Sequence, residues 1–168
     1  MSRPPVLTIG GTTDNSRYGS LGKIQHSITL QVDVQQLTCT LSDASIVLDD
    51  VTGADLPAEG ATTGLKALRP EINCPAYGPD VQLTLRDAGD SSNTGNLLTP
   101  AGGSTATGVQ VEILREGKPV QFGQAWAFPV RATGGRQTIN LQARYARTGS
   151  PLSPGIISGK AIITATYN

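Results

Sequence analysis

Apolar and polar positions alternate with period two along most of this chain, and the strictest runs lie near its two ends. Ile28, Leu30, Val32 and Val34 alternate with Thr29, Gln31, Asp33 and Gln35, and the chain closes on Gly159-Lys160-Ala161-Ile162-Ile163-Thr164-Ala165-Thr166-Tyr167-Asn168. Val109-Gln110-Val111-Glu112-Ile113 and Ala143-Arg144-Tyr145-Ala146-Arg147 repeat the pattern. A period of two is the mark of a half-buried strand. Strands are therefore expected from Ile24 onward, then at residues 39–41, 45–50, 68–74, 81–85, 108–114, 120–128, 137–146 and 155–167. Clusters of Gly, Pro, Asn, Asp and Ser separate them at residues 87–96, 100–104, 115–118, 133–135 and 148–154. Residues 56–66 read as a loop, and residues 1–23 as a polar lead-in with one short apolar patch, Val6-Leu7-Thr8-Ile9. No window holds a helical period beyond two turns, and no internal repeat is visible. Short strands at this spacing argue for an all-β antiparallel sandwich. The last strand runs to the final residue, which is expected where a terminal strand has a use.

Composition narrows the function classes. The 168 residues suffice for one domain with a real core. Net charge is zero and only 15% of residues are charged, against about 25% in ordinary soluble proteins, so no basic stripe invites nucleic acid. No apolar run approaches the ~20 residues of a membrane helix. Met1-Ser2-Arg3-Pro4-Pro5 opens onto nothing like the apolar centre of a signal peptide. Twenty Gly and eleven Pro suit many turns. Cys39 and Cys74 allow a single pairing, closing a loop of about 35 residues and contributing roughly 3–4 kcal/mol by the chain-entropy estimate. Two buried free thiols fit the bare count equally well.

Candidate chemistry is sparse. His26 is the only histidine and has no Cys or carboxylate cluster beside it, so neither a catalytic nor a metal role is assigned to it. No Gly-x-Ser-x-Gly elbow accompanies it. Asp87, Asp90 and Asn93 lack the spacing and closing Glu of a calcium loop and read as a solvated turn. Trp126, between Ala125 and Phe128, reads as packing rather than a sugar platform. No enzyme, cofactor or metal is expected.

Several words of this sequence, taken in order, carry a family likeness. They are the alternating run from Ser27 into Cys39, Leu56-Pro57-Ala58-Glu59-Gly60, Asn73-Cys74-Pro75, the strand opening Gly108-Val109, Ala143-Arg144-Tyr145 leading to Thr148-Gly149, and the penultimate Tyr167. Together they resemble the pilin domain of chaperone–usher fimbrial subunits, near the type 1 pilus group. The resemblance implies an immunoglobulin-like antiparallel sandwich that is incomplete and is completed by a donated strand. It implies a Cys39–Cys74 disulfide formed in the periplasm. It divides the chain into residues 1–26, an N-terminal extension or linker, and residues 27–168, the pilin domain, with residues 24–37 a candidate donor or first strand. Ile28, Leu30, Val32 and Val34 would be the plug residues of a donated arm, or else face the domain's own core. Buried fully, four such side chains offer about 6–12 kcal/mol before ordering costs. Ile162, Ile163, Ala165 and Tyr167 would border the groove and form the edge that faces a chaperone, although Tyr167 equally reads as a core aromatic. Implied partners are a periplasmic chaperone, an outer-membrane usher and neighbouring subunits, with a host receptor reached through a tip adhesin and no nucleic acid. The implied location is the periplasm in transit, then the fimbrium on the cell surface. The sequence departs from the family at Val32, where a polymerising arm usually has Gly. That leaves two placements: a structural subunit, or the anchoring domain of a tip adhesin whose receptor-binding domain lies elsewhere.

Overall fold

The alternating runs become antiparallel strands, and their apolar faces decide which sheets pack together. The computed structural model describes residues 6–13, 24–31, 38–78 and 80–167. The backbone divides into two units, Met1–Gln36 and Leu37–Asn168. In the first, β1 (Val6–Thr13) pairs with β2 (Ile24–Gln31) along its whole length, Ile9 opposite Ile28 and Leu7 opposite Leu30. The short apolar patch at Val6 is thus the start of an eight-residue strand. Val32 and Val34 lie outside the described residues.

The second unit is a two-layer sandwich. One layer holds β4 (Thr62–Leu68), β12 (Leu141–Arg147), β8 (Val109–Arg115) and β7 (Leu97–Leu98) in that order, with β9 (Lys118–Pro119) also pairing β8. The other layer is split. β10 (Ala125–Phe128), β6 (Val81–Asp87) and β13 (Ala161–Tyr167) form one sheet, and β11 (Gly135–Thr138), β5 (Glu71–Cys74) and β3 (Thr40–Leu41) form another. Every pairing is antiparallel. Ile72, Val81, Leu83, Leu85, Ile113, Phe122, Ile139 and Leu141 from both layers make a single buried cluster. Cys74 belongs to this cluster, and its disulfide partner Cys39 packs against it.

Three expectations change. Residues 45–50 alternate but join no sheet, and residues 62–66, read as loop, belong to the edge strand β4 (Thr62–Leu68). The run expected at 137–146 is two strands, because Ile139 and Asn140 turn the chain from one layer to the other. β4 escapes the period-two rule because it carries a bulge. Its pairing with β12 steps from Lys66 opposite Ala143 to Thr63 opposite Tyr145, one residue more than β12 spends. Gly64 supplies the extra residue at φ +72°, and a Cβ there would stand 3.0 Å from the Tyr145 ring.

On the face of β8 opposite Ile113, Glu112 is buried under Arg144, with guanidinium contacts of 2.6 and 2.7 Å, and Asn96 donates to its other oxygen. This pair is fully partnered, which is the condition for a buried charge to be tolerated.

Candidate strand-acceptor groove

The sandwich does not close everywhere. An open groove of ≈ 900 Å³ lies over the β8 and β12 surface, and its floor is Val109, Val111, Ala143 and Tyr145. Side chains on that floor point inward because the register sets Tyr145 opposite Val111 and Ala143 opposite Ile113 on the core-facing side. One wall is the stretch 46–53, through Ile46, Leu48 and Val51. The other is 152–159, through Leu152, Ile156 and Ile157. Apolar side chains stand exposed at both rims: Val47 is 85% and Ile156 70% accessible. Burial, then the carboxylates of Asp50 and Asp49, push the Tyr145 phenol above its ordinary pKa, so its hydroxyl is neutral and available as a hydrogen-bond donor throughout the physiological range.

The wall at 152–159 is stitched to its neighbours through the backbone. Thr107 and Ser153 exchange both N–H···O bonds (3.3 and 3.1 Å), and the Ile156 carbonyl accepts from the amides of Thr105 (2.8 Å) and Ala106 (3.0 Å). Gly108 makes this crossing possible: at φ +73°, a Cβ would come within 2.7 Å of the Ser150 and Pro151 carbonyls. The wall then leads into β13, which pairs with β6 on one side and, among the described residues, with nothing on the other.

The residues singled out by sequence fall as follows. In β13, Ala161, Ile163, Ala165 and Tyr167 share the inward face with Val81, Leu83 and Leu85, while Ile162 is 51% accessible on the outside. Tyr167 packs against the core, and its hydroxyl also accepts from the Cys39 amide (3.1 Å) and donates to the Cys39 carbonyl (3.0 Å). That bond pair ties the last strand to the start of the disulfide-linked segment. Ile28 and Leu30 lie in β2, paired with Ile9 and Leu7 of β1. Trp126 packs on the core with the Arg115 guanidinium 5.2 Å from its ring centroid.

The supposed solvated turn at Asp87 is different in kind. Asp87 is buried, and its carboxylate accepts from the amides of Gly89 and Thr99 (both 2.8 Å) and from the Asn93 side chain (2.7 Å). Burial raises its pKa, but these donors together outweigh it and hold the carboxyl below its ordinary value. Among the described residues no three His, Cys, Asp or Glu side chains gather as a metal site.

Comparison with known proteins places this geometry. Residues 26–168 match the family model described as Fimbrial protein. The F17c-G and F17b-G fimbrial adhesins of Escherichia coli are each 28% identical over 172 residues, covering 88% of this chain and 48% of their own. The chain thus spans about half the length of these curated relatives. Among solved structures, the CupB6 tip adhesin of Pseudomonas aeruginosa superposes with a TM-score of 0.64 at 16% identity, over 94% of this chain and 48% of that one. The P pilus rod subunit PapA gives 0.57 at 21% identity, over 77% of this chain and 99% of its own. At such identities the likeness is one of fold, the immunoglobulin-like sandwich of chaperone–usher pilins.

Proposed function

The chain belongs to the fimbrial protein family, and from that premise we propose that it is a subunit of a bacterial surface fibre whose groove takes a strand from another chain. The observation that carries this reading is the apolar groove itself, whose 152–159 wall leads into the terminal strand β13, unpaired on one side among the described residues. Exposing such a surface to water is costly and invites aggregation. An extended segment laid into it would bury alternate side chains over Val109, Val111, Ala143 and Tyr145, and where it runs on past the 152–159 wall it would meet the unpaired edge of β13. A periplasmic chaperone supplies that segment first, and the arm of a neighbouring subunit replaces it at the outer-membrane usher. The arm this chain would offer in turn is residues 24–34, with Ile28, Leu30, Val32 and Val34 as its plug face. The finished fibre stands on the cell surface, and the chain works by assembly, without chemistry on a substrate.

A second reading has its own support. The F17 fimbrial adhesins and the CupB6 tip adhesin are each about twice the length of the region they share with this chain. On that reading this is the anchoring domain of a tip adhesin, which accepts a strand but donates none, and a host receptor is met by a separate domain. Light-scattering mass on the purified chain, with an unboiled denaturing gel beside it, tests the first reading. A ladder of detergent-resistant multimers is expected if residues 24–34 are donated between copies. A single-mass monomer overturns donation and leaves the anchoring-domain reading.

A further inference from the structure

The two walls of the groove are held by unequal means. Residues 152–159 are bound through several main-chain bonds, supplemented by Thr105 Oγ1 accepting from the Ile156 amide (2.9 Å) and Ser104 Oγ accepting from the Ser158 amide (3.1 Å). The opposite wall has fixed ends and a bare middle. At one end the Ser42 amide donates to the Glu71 carbonyl (2.9 Å). At the other, the amide and hydroxyl of Thr52 both donate to Asp55 Oδ2 (2.8 and 2.7 Å). Between them, from Asp43 to Val51, no backbone group has a backbone partner among the described residues. Among the described residues, one side chain from outside the stretch hydrogen-bonds to it. Lys66 Nζ, projecting from the edge strand β4, donates to the Val47 carbonyl (3.1 Å) and pairs with Asp49 (2.5 Å).

Building on the groove's role as a strand acceptor, we propose that Lys66 is the tether that holds the 43–51 wall in place and so governs how long a strand stays in the groove. The wall needs one. Ile46 and Leu48 face an apolar floor, and among the described residues the two Lys66 bonds are the only hydrogen bonds from another element that set their distance from it. Apart from the Val47 carbonyl, which Lys66 holds, the ladder groups of 43–51 have no backbone partner among the described residues and would pair with an incoming strand only if the wall stands at the right distance. Lys66 is suited to this because its bonds are to a carbonyl and a carboxylate of the wall itself, two residues apart, so they fix its position without using any N–H that a strand would need. Lys66 is a positioning residue: it touches the wall, not the occupant.

Two measurements on the full chain separate the tether from the acceptor reading. Backbone 15N relaxation at residues 44–50 reads the wall with the groove unoccupied. The order parameter is expected near ~0.85 in the wild type and below ~0.6 in Lys66→Met, with Lys66→Arg restoring order. A fluorescent synthetic peptide spanning residues 24–36 reads the consequence. Its dissociation is expected to quicken about two- to fivefold in Lys66→Met, the scale of one partly exposed ion pair. Asp49→Asn should have a similar effect, and the double variant should add little to either, since both sever one link. The melting temperature should stay close to the wild type, which a general packing role would not allow. Equal order in the wild type and Lys66→Met overturns the tether, as does unchanged peptide release. Failure of the peptide to bind even the wild type counts against the acceptor reading instead, and relaxation still decides the tether.

Discussion

Two regions of the same sandwich are built from similar residues and packed to opposite ends. Where β6 faces β8 and β12, Leu83, Leu85 and Phe122 are at most 1% accessible and the layers meet without a gap. Where residues 46–53 and 152–159 flank the same β8 and β12 strands, an ≈ 900 Å³ groove stands open and isoleucine and valine face water. The difference is not one of hydrophobicity. It is that the first region has a strand on each side of every gap, while in the second, among the described residues, no strand lies between the two walls over the β8 and β12 floor. On the acceptor reading proposed above, the filling comes from another chain.

The sharpest way to test that contrast is to damage the closed region. Phe122→Ala removes a fully buried ring from the central cluster and is expected to cost about 3–5 kcal/mol, read by denaturant unfolding. A loss below ~1 kcal/mol would mean that the closed region is no better packed than the groove.

Next in size is the buried Asp87 that ties residues 88–99 to the end of β6. Asp87→Asn keeps the shape but loses the charge that attracts three donors, and a loss of about 1–3 kcal/mol is expected near neutral pH. The folded-state pKa is depressed, so this contribution is complete above the unfolded value of ~3.9 and drains away as pH falls through the lower folded value. The wild type should therefore lose stability over that acid window, and the variant should show a flatter acid limb. Parallel acid limbs for the two proteins would refute the assignment.

What the sequence revealed follows from where period two survives. β6, β8, β12 and β13 each keep one face on the core from end to end, so their alternation reads directly. β4 was hidden because Gly64 adds a residue and shifts the phase midway through the strand. Residues 45–50 misled in the opposite sense. Their alternation is genuine, since Ile46 and Leu48 face the groove, but among the described residues no strand lies beside them to make a ladder. Asp87 sits among Gly, Ser, Asn and Asp, a composition that announces a solvated turn and gives no sign that one carboxylate is buried at its root. Lys66 was silent for another reason. Its contacts at Val47 and Asp49 lie 19 and 17 residues away, on a segment with no regular geometry to extrapolate from.

The smallest expected change in stability falls on the groove's rim. Ile156 is 70% accessible, yet its amide and carbonyl are both held by residues 105–106, so its side chain can be altered without moving the wall. Ile156→Ser should shift the stability of the isolated chain by no more than about 0.5 kcal/mol in either direction, as for an exposed position. The same change should weaken capture of an apolar strand by about tenfold, because part of the ~1.5–3 kcal/mol available from burying an isoleucine is then forfeited. Unfolding curves and peptide affinity measured on one sample separate the two effects. A loss of stability comparable to that of Phe122→Ala would show that Ile156 belongs to a finished core. Unchanged stability with weakened capture is the signature of a surface that is hydrophobic for the sake of a strand not yet in place.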